Sequence, residues 1–190
     1  MLAETISTER LDLLPLRVEH AAEMALVLGD PALHTFIGGA PETPEGLLAR
    51  YERLVAGPSD PTVSWLNWVV SLRAEGRLTG YVQATVSPDA LGSAAEIAWV
   101  IGTSWQGRGI ATEAARGLVG WLEDAVDLVV AHVHPHHAAS AAVAAACGLA
   151  PTEDVVEGEI RWSSPVARPP PDARPLTRTS FESGPRGHDS

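Results

Sequence analysis

The sequence predicts an α+β fold, a mixed and mostly antiparallel central sheet flanked by helices. Three observations carry this. The apolar pattern switches repeatedly between a period of two and one of about 3.6. Three strand-like segments, 66–72, 78–86 and 96–101, follow one another with short turns, which implies an antiparallel meander. A glycine-rich turn at Gly107-Arg108-Gly109 then leads the third of them directly into a long amphipathic helix.

Residues 10–17 alternate loosely, with Leu11, Leu13 and Leu14, and suit a first strand. Residues 19–28 read as a helix closed by Gly29 and Pro31. Thr43-Pro44-Glu45 opens a second helix with a Thr cap and proline at its first position. That helix runs through Leu47, Leu48, Tyr51 and Leu54 to a stop at Gly57-Pro58. The meander turns around Ala74-Glu75-Gly76 and again between Pro88 and Ser93. The next helix spans about Gly109 to Asp124, with an apolar stripe of Ala111, Ala114, Ala115, Leu118, Val119 and Leu122. Leu128–His134 reads as a buried strand, and Ala138–Cys147 as an alanine-rich helix ended by Gly148. Val155–Trp162 is expected to close the body as a single strand. From Pro165 onward six prolines interrupt a polar sequence, so one domain is expected over 1–164 and a flexible tail over 165–190.

Composition narrows the function. The 190 residues include 13 basic residues, all arginine, and 24 acidic ones, for a net charge of −11. The tail holds 4 arginines and 3 acids, so the acidity belongs to the body. Such a charge argues against a general binder of nucleic acid or of anionic membranes. A single cysteine, Cys147, forms no internal disulfide, and it is expected to be a buried thiol. No basic segment followed by an apolar run marks a signal peptide, and no stretch of 18 apolar residues marks a membrane span. A soluble cytoplasmic protein is expected.

Chemistry concentrates in Trp99-Val100-Ile101-Gly102-Thr103-Ser104-Trp105-Gln106-Gly107-Arg108-Gly109-Ile110-Ala111. A strand enters a turn whose glycines allow open backbone conformations and close approach of a ligand. The first N–H groups of the following helix have no internal partner and lie at the positive end of its dipole, an arrangement that binds phosphate. Arg108 is expected to add a mobile positive charge. The triphosphate loop Gly-x-x-x-x-Gly-Lys is absent, and Thr112 stands where a dinucleotide fingerprint needs its third glycine.

Gln106-Gly107-Arg108-Gly109-Ile110-Ala111 fits Gln/Arg-x-x-Gly-x-Gly/Ala and resembles the coenzyme A pyrophosphate loop of the GNAT superfamily of acyl-CoA N-acyltransferases. The strand before it and the helix, strand, helix and strand after it follow that superfamily's order. Thr8-Glu9-Arg10-Leu11-Asp12-Leu13 and Phe36-Ile37-Gly38-Gly39 resemble its ribosomal-protein N-terminal alanine acetyltransferase branch. The resemblance covers roughly residues 8–164 and implies the GNAT fold, acetyl-CoA as cosubstrate and coenzyme A as product. It also implies that backbone N–H groups from Gln106, Gly107, Arg108, Gly109, Ile110 and Ala111 hold the pyrophosphate, while Trp99, Val100 and Ile101 pair with the pantetheine arm. His137 stands where Asn is common in that branch and is counted with the coenzyme A site. An amine then attacks the acetyl carbonyl directly, with no acyl-enzyme, while the protein positions the reactants and moves protons.

Glu96, at the start of the strand feeding the loop, is the candidate general base, with a solvated strand-end carboxylate as the alternative. Glu159 on the last strand is a substitute. Many relatives place an acidic tyrosine beyond the penultimate helix, but Tyr51 and Tyr81, the two tyrosines here, lie elsewhere. Ser140 occupies the matching serine of the ribosomal branch and is the candidate general acid, or else it stabilises the first helical turn. His132, His134, His136 and His137 have a spacing that can chelate zinc or nickel, with strand-end and cap histidines as the alternative, and no metal is assigned. Trp65 and Trp68, flanking Asn67, are candidate walls of an acceptor pocket or else core. His34 either lines that pocket beside Phe36 or is a surface residue.

The acceptor is expected to be an amine-bearing small molecule or a peptide N-terminus. An α-amine, with a pKa of about 7.7–8.0 against about 10.4 for lysine, is the easier to deprotonate. The competing hypothesis is a non-catalytic module on the same fold that senses acyl-CoA, or binds metal through the histidine cluster. Either a monomer or a homodimer, formed by strand exchange near the C-terminal end, is compatible with the sequence.

Overall fold

The computed structural model describes residues 1–90 and 92–165. Along the chain it places β1 (Ile6–Ser7), β2 (Leu11–Pro15), α1 (Ala21–Val27), α2 (His34–Ile37), α3 (Pro44–Ala56), β3 (Ser64–Leu72), β4 (Arg77–Asp89), β5 (Gly92–Ile101), α4 (Ile110–Leu122), β6 (Leu128–Val133), α5 (Ala138–Ala146), β7 (Ala150–Val156) and β8 (Glu159–Ser163). The strands form one sheet in the order β1-β2-β3-β4-β5-β6-β8-β7. Every pairing is antiparallel except β5 with β6, the pair that α4 connects as a crossover.

Alternation along the strands gives the sheet two faces. Leu66, Trp68, Val70 and Leu72 of β3, with Ala95, Ile97 and Ile101 of β5, point to the face that α4 covers, where they meet the buried Ile110, Ala114, Leu118 and Leu122. Each large side chain so buried contributes about 1.5–3 kcal/mol. Val69 faces the other way, into a second cluster with Met24, Leu47 and Tyr51 from α1 and α3. The N-terminus of α3 forms as its sequence dictates: Thr43 Oγ1 accepts the N–H of Gly46 at 3.1 Å and Pro44 takes the first helical position.

Two expectations are corrected. Val155–Trp162 is not one strand. The chain reverses at Glu157 and Gly158, both at positive φ (52° and 86°), and β7 and β8 pair as a hairpin. Glu157 stands where such a turn usually carries Asn or Asp, so the reversal left no local signal. Trp65 and Trp68 do not wall a common pocket, because residues three apart on a strand face opposite sides. Trp68 is fully buried against Trp121 with its indole N–H on the Glu4 carbonyl, while Trp65 is exposed on the other face. β1 and α2, of two and four residues, are too short for periodicity to reveal. The expected tail lies outside the described residues apart from Pro165. No described helix is long and apolar enough to cross a membrane.

Candidate active site

The turn between β5 and α4 is built from free backbone donors. Gly107 and Gly109 both take the left-handed conformation, at φ 72° and 75°. Among the described residues, the N–H groups of Gly107, Arg108, Gly109, Ile110, Ala111 and Thr112 make no hydrogen bond. Six consecutive donors at a helix N-terminus suit a pyrophosphate. The Gln106 N–H is already used, bonded to Thr103 O at 3.3 Å, which corrects its expected role. Its side-chain amide instead donates to the Ile101 carbonyl at 3.0 Å and braces the turn against the end of β5. Ile110 contributes through its backbone, since its side chain is in the core.

Side chains distant in sequence clamp this turn. Arg10 donates from its backbone N and its Nε to the two oxygens of Glu113, both at 2.7 Å, and from Nη1 to the Arg108 carbonyl at 3.1 Å. The Thr8 hydroxyl adds a bond to Glu113 at 2.6 Å. Burial alone would raise the Glu113 carboxyl, but the bonds from Thr8 and Arg10 outweigh it and hold the carboxyl below its ordinary value. The negative charge that Glu113 brings to the first turn of α4 is thereby answered by Arg10. Arg108 is not free as expected: its guanidinium is bound to Glu75 at 2.6 Å, on the β3–β4 turn, where the Trp105 indole N–H also points. The Arg108 bond, then the Trp105 bond, hold the Glu75 carboxyl low.

Beside the turn the sheet opens. β4 pairs with β5 from Gly80 to Asp89 along its whole length, but β6 pairs with β5 only over Ala94–Glu96. Beyond Glu96 the second edge of β5 therefore has no β6 partner, and a wedge-shaped notch opens between β5 and β6 as far as Ile101, whose carbonyl is taken by the Gln106 side chain. This free edge, ending at the donor-rich turn, is open to an extended ligand whose amides add as a strand would. Trp99 and Ile101 turn their side chains toward the α4 core and offer the notch their backbone, whereas Val100 faces the opposite side.

Of the proton-transfer candidates, Glu96 stands at the apex of the notch. Glu96 is the last β5 residue in register with β6, and its side chain is 62% exposed. Its Oε1 lies 3.1 Å from Nδ1 of His132, two residues along β6 from Glu96's partner Val130. Ser140, in the first turn of α5, makes no hydrogen bond among the described residues, so it does not cap the helix; the capping position is His137, itself without a side-chain bond. His137 stacks on Phe36 of α2 at 4.2 Å and 20°, and burial, then His134, lowers its pKa. Glu159 lies at the hairpin turn on β8, two strands from β5. Among the described residues no three His, Cys, Asp or Glu side chains are placed to hold a metal ion.

On the face opposite α4 a cleft opens between α1, α2 and α3, lined by Val100 and by Leu28, Leu47, Glu42, Arg50 and His34. An adjoining small cavity shares Leu28, Leu47, Arg50 and Tyr81 and extends to Asn67 and Gln83. Gln83, on this cavity, is the register partner of Ala98 on β5. Arg50 bonds Glu42 at 3.0 Å and the Tyr81 hydroxyl. The Tyr51 hydroxyl is buried without a partner, and burial raises its pKa. Sequence reasoning missed Arg10, Glu113 and Glu75, whose partners are dozens of positions away, and the Arg50–Glu42 pair, whereas His34, a candidate from the sequence, does stand in the cleft wall. Cys147 is half-buried and burial pushes its thiol up to about 11, as a packed rather than reactive cysteine requires.

The sequence matches a family model described as acetyltransferase (GNAT) domain over residues 10–150. No curated protein matches it. The fold is similar to an acetyltransferase of the GNAT family from Bacillus anthracis (17% identity, TM-score 0.69, 84% of this chain and 97% of that one). It is similar to the RimL ribosomal L7/L12 α-N-protein acetyltransferase solved with coenzyme A (16%, 0.69, 86% and 98%). It is similar also to the microcin C7 self-immunity acetyltransferase MccE solved with acetyl-CoA and AMP (17%, 0.67, 83% and 93%).

Proposed function

The chain belongs to the GNAT acetyltransferase family, whose acetyl donor is acetyl-CoA, and on that premise we propose that it is an N-acetyltransferase in which a primary amine attacks the thioester directly with both substrates bound. The observation that carries this reading is the continuity of the donor-rich turn, the free β5 edge and the Glu96 carboxylate along one strand. Bound acetyl-CoA supplies an activated acetyl carbon and a thiolate leaving group. Gly107 to Thr112 hold the pyrophosphate through their N–H groups. Trp99, Val100 and Ile101 align the pantetheine arm through their backbone, and His137, stacked on Phe36, closes the α5 side of the notch. Glu96 takes the proton of the incoming ammonium, and the unpaired Ser140 hydroxyl gives one to the departing sulfur.

The acceptor is an amine-bearing small molecule or a peptide N-terminus, the latter being the substrate that RimL's name specifies. Its body lies in the cleft under α1 and α3, where leucines and the Glu42–Arg50 pair surround it. Thiol release measured over a panel of peptide N-termini, amino acids and small amines tests the reading. Amine-dependent release is expected, with kcat lowered by about 100-fold or more in Glu96→Gln and by about 10-fold in Ser140→Ala, while calorimetry finds unchanged acetyl-CoA affinity in both. Binding of acetyl-CoA without release toward any amine would leave the non-catalytic sensor instead.

A further inference from the structure

The notch has two arms, and each contributes a titratable side chain to its apex. Glu96 is on β5 and His132 on β6, both on the sheet face that α4 does not cover. Beyond them the strands part. His132 is 19% exposed at its side chain and Glu96 62%, so the ring is fixed by packing while the carboxylate is not. A carboxylate so open to solvent is free to sample several rotamers, and a general base pays for that freedom each time it must be in line with the amine. The 3.1 Å contact from Nδ1 of His132 to Oε1 of Glu96 removes it. The other charged groups around the ring are accounted for. Arg161 on β8 is the register partner of His132 and is bound to Asp154 of β7 at 3.5 Å; Glu159 stands further along β8, and His134 further along the chain from β6, next to Phe36. Glu96 is the carboxylate that His132 meets.

We infer that His132 is a positioning residue for acetyl transfer: its Nδ1–H donates to Oε1 of Glu96, fixes the carboxylate at the apex of the notch, and leaves Oε2 free for the amine. The inference rests on the acyltransferase reading above. In the step it serves, the ammonium gives a proton to Oε2, the nitrogen lone pair forms the C–N bond, and the C–S bond breaks with its electrons going to sulfur. The nitrogen sheds its second proton as the amide forms, the Ser140 hydroxyl protonates the thiolate and is restored by that second proton, and the first proton leaves from Glu96 to water, so one amide, one thiol and one released proton result and nothing is oxidised or reduced. The imidazole keeps its proton throughout and acts only through Glu96.

The test compares His132→Ala, His132→Asn, Glu96→Gln and the Ala/Gln double variant in the full chain. An asparagine amide nitrogen takes nearly the place of Nδ1 and still donates. Expected are a kcat about 10- to 100-fold lower in His132→Ala with the KM for acetyl-CoA unmoved, most of kcat restored in His132→Asn, and a double variant no slower than Glu96→Gln alone. Imidazole ¹⁵N spectra supply a readout that needs no turnover: Nδ1 of His132 is protonated in the wild type, and its resonance moves in Glu96→Gln. Full activity in His132→Ala, additive losses in the double variant, or an unprotonated Nδ1 overturns the inference while leaving the acyltransferase reading intact. A wild type that binds acetyl-CoA and acetylates no amine overturns both.

Discussion

From Gly107 to Thr112 the proposed coenzyme A end of the site presents backbone N–H groups of consecutive residues, whereas the proposed acceptor cleft is walled by side chains from α1, α2, α3, β4 and β5. The first is a short-range object. Two glycines, a helix start and a strand end fix its chemistry whatever the side chains between them are. The second exists only once the sheet has brought Arg50 beside Tyr81 and Val69 beside Leu14. A backbone-built region tolerates little change at its glycines and much elsewhere, and a side-chain-built region behaves in the opposite way. Substitutions that act on one end and spare the other test this contrast.

The largest effect is expected from Gly109→Asp. At φ 75° any side chain is strained, and this one brings a carboxylate into the group of free N–H donors that the pyrophosphate needs, at the position where a Cβ comes 3.5 Å from Arg10. Calorimetric affinity for acetyl-CoA should fall by about 100-fold or more, about 2.7 kcal/mol or greater. Near-UV circular dichroism should show the tryptophan-lined core unchanged. Wild-type affinity in this variant would mean that the donors of the turn do not carry the cosubstrate.

A smaller effect, and one that depends on pH, is expected from Glu113→Gln. Its carboxylate holds Arg10 and Thr8 over the turn, so the neutral amide should weaken acetyl-CoA binding by about 10-fold and cost roughly 1–2 kcal/mol of stability, kept low because Arg10 is half open to solvent. Glu113 titrates below its ordinary 4.5 in the folded chain. Its stabilisation is therefore complete above pH 4.5 and lost as pH falls through the lower folded value. The Tm gap between wild type and variant should be open at pH 7 and close on acidification below pH 4.5, as pH falls through the lowered folded value. A gap that widens in acid would reverse the assignment.

The same contrast explains what the sequence disclosed. The turn was legible because Gln106 to Ala111 is local, and because the helix after it and the strand before it have clear periods. The Thr43–Pro44 start of α3 was legible for the same reason. Alternation alone does not say which strand lies next to which, so the spacing of the histidines suggested a metal while the β5–β6 register gave His132 to Glu96. Arg10 and Glu113 are 103 residues apart, and neither position signals the other. The Glu157-Gly158 reversal was hidden because its first residue is an ordinary glutamate held at positive φ by the hairpin around it.

The smallest expected effect falls on the acceptor end, at Tyr51→Phe. The Tyr51 ring is packed between α1 and the sheet, and its hydroxyl is buried without a partner at the wall of the small cavity that adjoins the cleft. A buried hydroxyl with nothing to bond is destabilising, so its removal should raise stability by about 1 kcal/mol in urea unfolding with an unchanged m-value. If that hydroxyl is kept because the acceptor bonds it, the KM for the best amine should rise about 3- to 10-fold while kcat and acetyl-CoA affinity hold, the signature of an interaction made equally in ground and transition states. A stabilised variant with unchanged amine KM would place the acceptor elsewhere on the open sheet face, toward Trp65, Asn67 and Gln83. A destabilised one would mean that the hydroxyl has a partner in solution, most simply a water bridging it toward Arg50.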